Sequence, residues 1–320
     1  MAILVTGGAG FIGSHMVERL LDESDERIVC LDNFNDYYDP ALKRANIAGF
    51  QDHRRVVLIE GTFCDREAMR DLFRDQSVRE VVHLGAYAGV RPSVADPLPY
   101  QKSNVEGTLC LLEAARDYPV ERFLLASSST VYGEGVDVPF REDAPLGIPI
   151  SPYGATKRAA ELLGLTYHLL HGVPVVCLRP FSVYGPRLRP DLAMSIFTGK
   201  MLRGEPVPLF GDGSIRRDFT HIRDICDGIL AALSAENVVG ETINLGHNEP
   251  VEMRRLIEML AEAIGKPAKI DYQPEKPGEM AVTCADLTKA ARLLGYQPKV
   301  PLDEGIAEYV AWHRRVHGDS

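Results

Sequence analysis

The chain has 320 residues, 45% hydrophobic and 25% charged, ordinary usage for one large α/β unit or a large domain with a smaller one. Its 45 acidic against 35 basic residues leave a net charge of −10. That argues against nucleic-acid binding, which needs a basic face, but not against an anionic small molecule held by a few arginines.

No apolar run reaches the roughly 18 residues of a membrane span, and no charged segment precedes the apolar start at Ala2, so neither a span nor a signal peptide is expected. Cys30, Cys64, Cys110, Cys177, Cys226 and Cys284 show no Cys-x-x-Cys spacing. They read as reduced core residues of a cytoplasmic protein without a metal site.

The first apolar run, Ala2–Thr6, leads into Gly7-Gly8-Ala9-Gly10-Phe11-Ile12-Gly13 and a helix over Gly13–Leu21. Glycines there permit a tight turn and close approach of backbone to a pyrophosphate, with the helix N-terminus supplying N–H donors. The second run, Arg27–Asp32, ends on a carboxylate. Placed there it accepts from both ribose hydroxyls and repels a 2′-phosphate, which favours NAD over NADP.

Further runs at Val56–Glu60, Glu80–Leu84, Arg122–Ser127 and Val173–Arg179 alternate with helical patterns at Arg66–Arg74, Asn104–Arg116 and Pro152–His171. Most runs are apolar throughout, as strands covered on both faces are. The alternation predicts an α/β fold, a Rossmann-like doubly wound parallel sheet of about seven strands. Beyond Arg179 the texture changes, with Pro180, Pro186, Pro190, Pro206 and Pro208 close together. Residues 1–179 are therefore expected to form the dinucleotide domain. Residues 180–320 should form mainly a smaller substrate lobe over the strand ends, with Thr242–Leu245 returning to the large sheet near 242–246. Helices over Glu252–Ile264, stopped at Gly265-Lys266-Pro267, and over Asp303–Arg315 complete the pattern.

Two motifs carry chemistry. Ser127-Ser128-Ser129-Thr130 follows the fifth run and brings hydroxyls to the ligand crevice, Ser128 and Thr130 as catalytic candidates and Ser129 as a substrate contact. Tyr153 and Lys157 lie four apart on a helix face, with Ser151 as N-cap and Pro152 as first helical residue. A phenol is a poor base at neutral pH. A close ammonium and the helix dipole are expected to lower its pKa and make Tyr153 a general base. A solvated helix face would show the same spacing, so the pair gains weight only from the glycine loop and serine run around it.

In that order and spacing, the three motifs resemble an extended short-chain dehydrogenase/reductase of the NAD-dependent sugar-nucleotide epimerase/dehydratase type. The resemblance implies that Ser128, Tyr153 and Lys157 are the catalytic set. It implies that Gly7, Gly10, Phe11, Ile12 and Gly13 form the pyrophosphate loop, that Asp32 and Asn33 hold the ribose, and that Leu84, Ala86, Ser103 and Phe181 line the cofactor. Where the family usually has an aspartate toward adenine this chain has Thr62, followed by Phe63 to pack on the ring. Related dehydratases carry Asp-Glu where this chain has Ser129 and Thr130, which disfavours elimination and leaves epimerisation.

By the same resemblance Arg217 and Lys276 hold a UDP diphosphate, and Val207 and Leu209 lie in the uracil-reading segment. Arg179–Ala193 resembles the UDP-glucuronate 4-epimerase branch, in which Ser182 and Arg189 grip the hexuronate carboxylate. Arg91 is a weaker substrate candidate. A UDP-glucose or UDP-N-acetylhexosamine 4-epimerase remains an alternative, as does a redox-inactive dinucleotide-binding regulator. The resemblance also implies a homodimer through Asn104–Arg116 and Pro152–His171.

Overall fold

A computed structural model describes residues 1–274 and 280–318. In chain order its strands are β1 (Ala2–Thr6), β2 (Arg27–Asp32), β3 (Val56–Glu60), β4 (Val78–His83), β5 (Arg122–Ala126), β6 (Val175–Pro180), β7 (Ser182–Tyr184), β8 (Val207–Phe210), β9 (Arg216–His221), β10 (Thr242–Leu245), β11 (Pro250–Glu252) and β12 (Ile270–Gln273). Seven of them make one sheet in the order β10-β6-β5-β4-β1-β2-β3, and every neighbouring pair is parallel. The order reverses at β1 and β4, the crevice where such sheets bind ligands.

Successive strand residues point to opposite faces, and both faces are covered. Ile3 and Val5 join Met16, Val17 and Leu20 of the helix Phe11–Glu23 and Ile225 and Ile229 of the helix Ile222–Ser234. Ala2 and Leu4 face the other way. They meet Phe73 of the helix Arg66–Gln76, Leu111 of Thr108–Asp117 and Ala160 of Pro152–His171. Double coverage is why these strands read as unbroken apolar runs, each fully buried aliphatic side chain contributing about 1.5–3 kcal/mol.

The chain leaves β4 earlier than the sequence pattern suggests, at His83 rather than Leu84. Gly85 N–H donates to Thr6 Oγ1 at 3.0 Å, which turns the backbone into the crevice. The helix expected at Asn104–Arg116 begins instead with a π-helical turn, Gln101–Gly107, before Thr108–Asp117. The Thr108 hydroxyl takes the Asn104 carbonyl at 2.7 Å, and such back-bonding bends a helix. The sixth strand runs Val175–Pro180, shifted from the expected Val173–Arg179.

The later strands form two small sheets, β11-β9-β7 and β12-β8. Segments beyond β6 are tied to the first helix. Arg187 grips the Glu18 carboxylate at 2.6 and 2.9 Å, His15 Nε2 meets the Pro186 carbonyl at 2.9 Å, and Arg19 pairs with Asp227 at 2.7 Å.

Candidate active site

A cavity of about 650 Å³ opens at the carboxyl ends of the parallel strands, within the range of small-molecule sites. Gly7, Gly10, Phe11, Ile12 and Gly13 line it. Gly7 has φ +66°, and a Cβ on Gly13 would stand 2.1 Å from the Gly7 carbonyl oxygen. Only glycines make this turn, and they leave the helix N-terminus without a side-chain cap, its N–H groups open to an anion. Asp32 is buried and its two oxygens accept Ala9 N–H at 3.1 Å and Phe34 N–H at 2.9 Å. These bonds fix its carboxylate at the cavity edge beside Asn33.

Phe63 lines the same end, and its ring fits because Gly85 and Gly107 carry no Cβ. Either Cβ would come within 2.5 Å of it. Thr62 lies outside the lining, exposed, its hydroxyl accepting Cys64 N–H at 3.1 Å. Leu84, Ala86, Ser103 and Phe181 also line the cavity. Glycine turn, open helix end and fixed carboxylate suit a dinucleotide.

Ser151 caps the helix Pro152–His171 by accepting Gly154 N–H at 3.1 Å. That fixes Tyr153 in the first turn, half-buried and facing the cavity. Ser128 Oγ accepts from Thr130 N–H at 3.2 Å and from the Thr130 hydroxyl at 3.0 Å. Ser128 also acts on the Tyr153 phenol, against the effect of burial. Lys157 is buried and donates to the Ala126 carbonyl at 2.6 Å. Burial brings its ammonium down to about 8, opposed by the Glu161 charge.

Here the structure departs from the sequence expectation for Tyr153. Burial pushes the phenol above its ordinary value, and what opposes burial is the Ser128 hydrogen bond and the Arg189 charge. The Lys157 ammonium one turn away makes its hydrogen bond to a backbone carbonyl.

Of the residues expected to meet substrate, Ser129, Ser182, Leu209, Arg217, Arg91 and Arg189 line the cavity. Arg217 donates to the Met280 carbonyl at 2.7 Å, and the Arg91 guanidinium sits 4.7 Å over the Phe210 ring. Val207 is fully buried and outside the lining. Lys276 lies outside the described residues. Arg189 forms a two-pronged pair with Asp191, Nε to Oδ1 at 3.0 Å and Nη2 to Oδ2 at 2.8 Å.

Sequence reasoning missed several contributors. Asn104 of the π-helical turn binds both Tyr87 N–H and Tyr87 carbonyl at 2.9 Å and Thr156 at 3.0 Å, linking the loop after β4 to the catalytic helix. Lys43 is buried in the lining, donating to Asn35 at 2.7 and 2.9 Å. The hydroxyl of Thr283 is buried in the lining with no hydrogen-bond partner in the structure, as a group awaiting a polar ligand would be. None of these has a spacing signal, since each depends on contacts between distant segments. Among the described residues no cluster of His, Cys, Asp and Glu suits a metal ion, and no helix is long and apolar enough to cross a membrane.

The chain is 40% identical to a UDP-glucuronate 4-epimerase of Thermodesulfobacterium geofontis, covering 97% of this chain and 95% of that one. Among solved structures it is similar to the Bacillus cereus UDP-glucuronic acid 4-epimerase in complex with UDP-glucuronic acid and NAD. The TM-score is 0.94 and the identity 39%, over 99% of this chain and 100% of that one. It is also similar to the Thermotoga maritima UDP-glucose 4-epimerase with UDP-glucose, at TM-score 0.91 and 35% identity over 99% and 100%. Its residues 4–309 match the family model described as GDP-mannose 4,6 dehydratase, and the chain belongs to that family.

Proposed function

We propose that this protein is a NAD-dependent UDP-sugar 4-epimerase acting on UDP-glucuronate to give UDP-galacturonate. The observation that carries the sugar assignment is Arg189. Its guanidinium lines the cavity with Tyr153 and Ser182 and already holds a carboxylate two-pronged, that of Asp191. A planar guanidinium suits a hexuronate carboxylate in the same way. The similarity to enzymes named for this reaction supports the reading.

NAD, when bound, accepts a hydride from carbon 4 and returns it. Tyr153 takes the proton of the 4-hydroxyl and later gives it back, while Ser128 and Thr130 hold that oxygen. Arg189's charge and Ser128's hydrogen bond favour the phenolate that the first step requires. The 4-keto sugar then presents its other face, the UDP portion held by Arg217 and the segment around Leu209. Oxidation at carbon 4 makes a β-keto acid prone to losing carbon dioxide. Arg189 and Ser182 hold the carboxylate so that its bond to carbon 5 stays out of line with the carbonyl π system. Ser129 and Thr130 offer no acid for elimination.

A cytoplasmic homodimer accompanies this reading. Leu162, Leu169 and Leu170 of the helix Pro152–His171 stand 60%, 82% and 70% exposed, an apolar face suited to a second copy. The test incubates the enzyme with UDP-glucuronate, UDP-glucose and UDP-xylose separately and follows the 4-epimer by NMR. UDP-glucuronate should react and Tyr153→Phe should lose about 10²–10⁴ of the rate. Turnover of UDP-glucose in preference to UDP-glucuronate refutes the assignment.

A further inference from the structure

We infer that Asp191 is a built-in stand-in for the substrate's carboxylate, and that an acidic sugar gains its place on Arg189 by displacing it. The inference rests on the reading of Arg189 given above. Arg189 and Asp191 both line the cavity, their side chains 19% and 27% exposed. The two share a tight turn, with Leu192 N–H donating to the Arg189 carbonyl at 3.3 Å. Asp191 Oδ2 also accepts the Tyr37 hydroxyl at 3.4 Å, and the Tyr37 ring lies 5.7 Å from the guanidinium. Tyr37 stays a neutral donor there, since burial first and the Asp191 charge second hold its phenol above its ordinary value.

A guanidinium in a cavity is costly without a counterion, and when no ligand is bound the nearest carboxylate is two residues along the same loop. The arginine fork Nε–Nη2 is fully used by Asp191. A hexuronate carboxylate arriving on that fork brings a second negative charge beside the first, and like charges at close range in a partly dry site repel. Asp191 is the partner able to leave, because its side chain is the more exposed of the two. A neutral sugar has nothing to exchange and leaves the Arg189–Asp191 pair intact. The preference for an acidic sugar is then the difference between two carboxylates competing for one guanidinium, and Asp191 sets its size.

The test is calorimetric titration of the NAD-loaded enzyme with UDP-glucuronate and with UDP-glucose, for wild type, Asp191→Asn, Asp191→Ser, Tyr37→Phe and Arg189→Ala. Removing the competitor should lower the Kd for UDP-glucuronate about tenfold in both Asp191 variants, the scale of a charge-assisted hydrogen bond. The ratio to the Kd for UDP-glucose should fall with it. Tyr37→Phe, which loosens Asp191 without removing it, should move the ratio the same way by about two- to threefold. If the Asp191 variants bind UDP-glucuronate more weakly while Arg189→Ala also binds it more weakly, Asp191 orients the arginine and the exchange is wrong. The exchange is equally wrong if both sugars shift alike. If Arg189→Ala binds UDP-glucuronate as wild type does, the assignment of Arg189 to the carboxylate fails and the exchange falls with it.

Discussion

At the scale of single residues, the site is built on a buried cation that does not pair with the phenol beside it. Lys157 lies one helical turn from Tyr153, yet its ammonium faces the Ala126 carbonyl and Glu161. Burial lowers it from 10.5 to about 8, so its charge is held at a cost below that pH. Between about 8 and 10.4 the unfolded chain keeps a proton that the folded chain has lost, and stability contributed at this position rises with pH across that window. Lys157→Met removes the cost. Urea unfolding should find the variant favoured by roughly 2 kcal/mol at pH 7.5 relative to its standing near pH 10. The advantage over wild type should shrink steadily as pH is raised. A difference independent of pH refutes a strained ammonium at this position.

At the scale of elements, the catalytic helix is anchored by a charge pair on the same face as Lys157, one turn further on. Glu161 holds Arg179 of β6 through two bonds of 2.8 Å, both side chains almost fully buried. The guanidinium also sits 4.7 Å over the Tyr132 ring. Breaking a buried pair from one side leaves an uncompensated charge, which costs about 3–5 kcal/mol. Glu161→Gln should therefore lower the unfolding free energy by about that amount, measured by denaturant titration with unchanged m-value. A loss under about 1 kcal/mol would show that water reaches the arginine. The helix itself was legible in the sequence, because Ser151 and Pro152 mark its start. The π-helical turn before Thr108 was not, since its residues carry no spacing that sets such a turn apart from an ordinary helix.

For the molecule as a whole, the parallel sheet was legible because double coverage makes each strand a continuous apolar run, and the glycine loop and Tyr153–Lys157 follow from spacing along single elements. The ligand-holding contacts were less so. Tyr37 and Asp191 are 154 positions apart and meet only when the fold closes, and Arg189 with Asp191 in a loop shows no periodicity. The proposed homodimer predicts that Leu162→Asp with Leu169→Asp converts a two-chain mass to a one-chain mass in light scattering. A wild-type protein already monomeric at micromolar concentration rejects it.

The seventh strand of the sheet arrives late. β6 is left with an unpaired edge until β10 docks against Cys177–Pro180, and the residues between them build much of the substrate side. A nascent chain emerging from the ribosome must therefore hold an open, apolar strand edge until Leu245 has been synthesised, and such edges invite pairing with other chains. Cutting the gene after Arg179 to isolate a dinucleotide-binding half would make that interval permanent. The expected product is an insoluble fragment, with solubility restored only when the segment carrying Thr242–Leu245 is co-expressed.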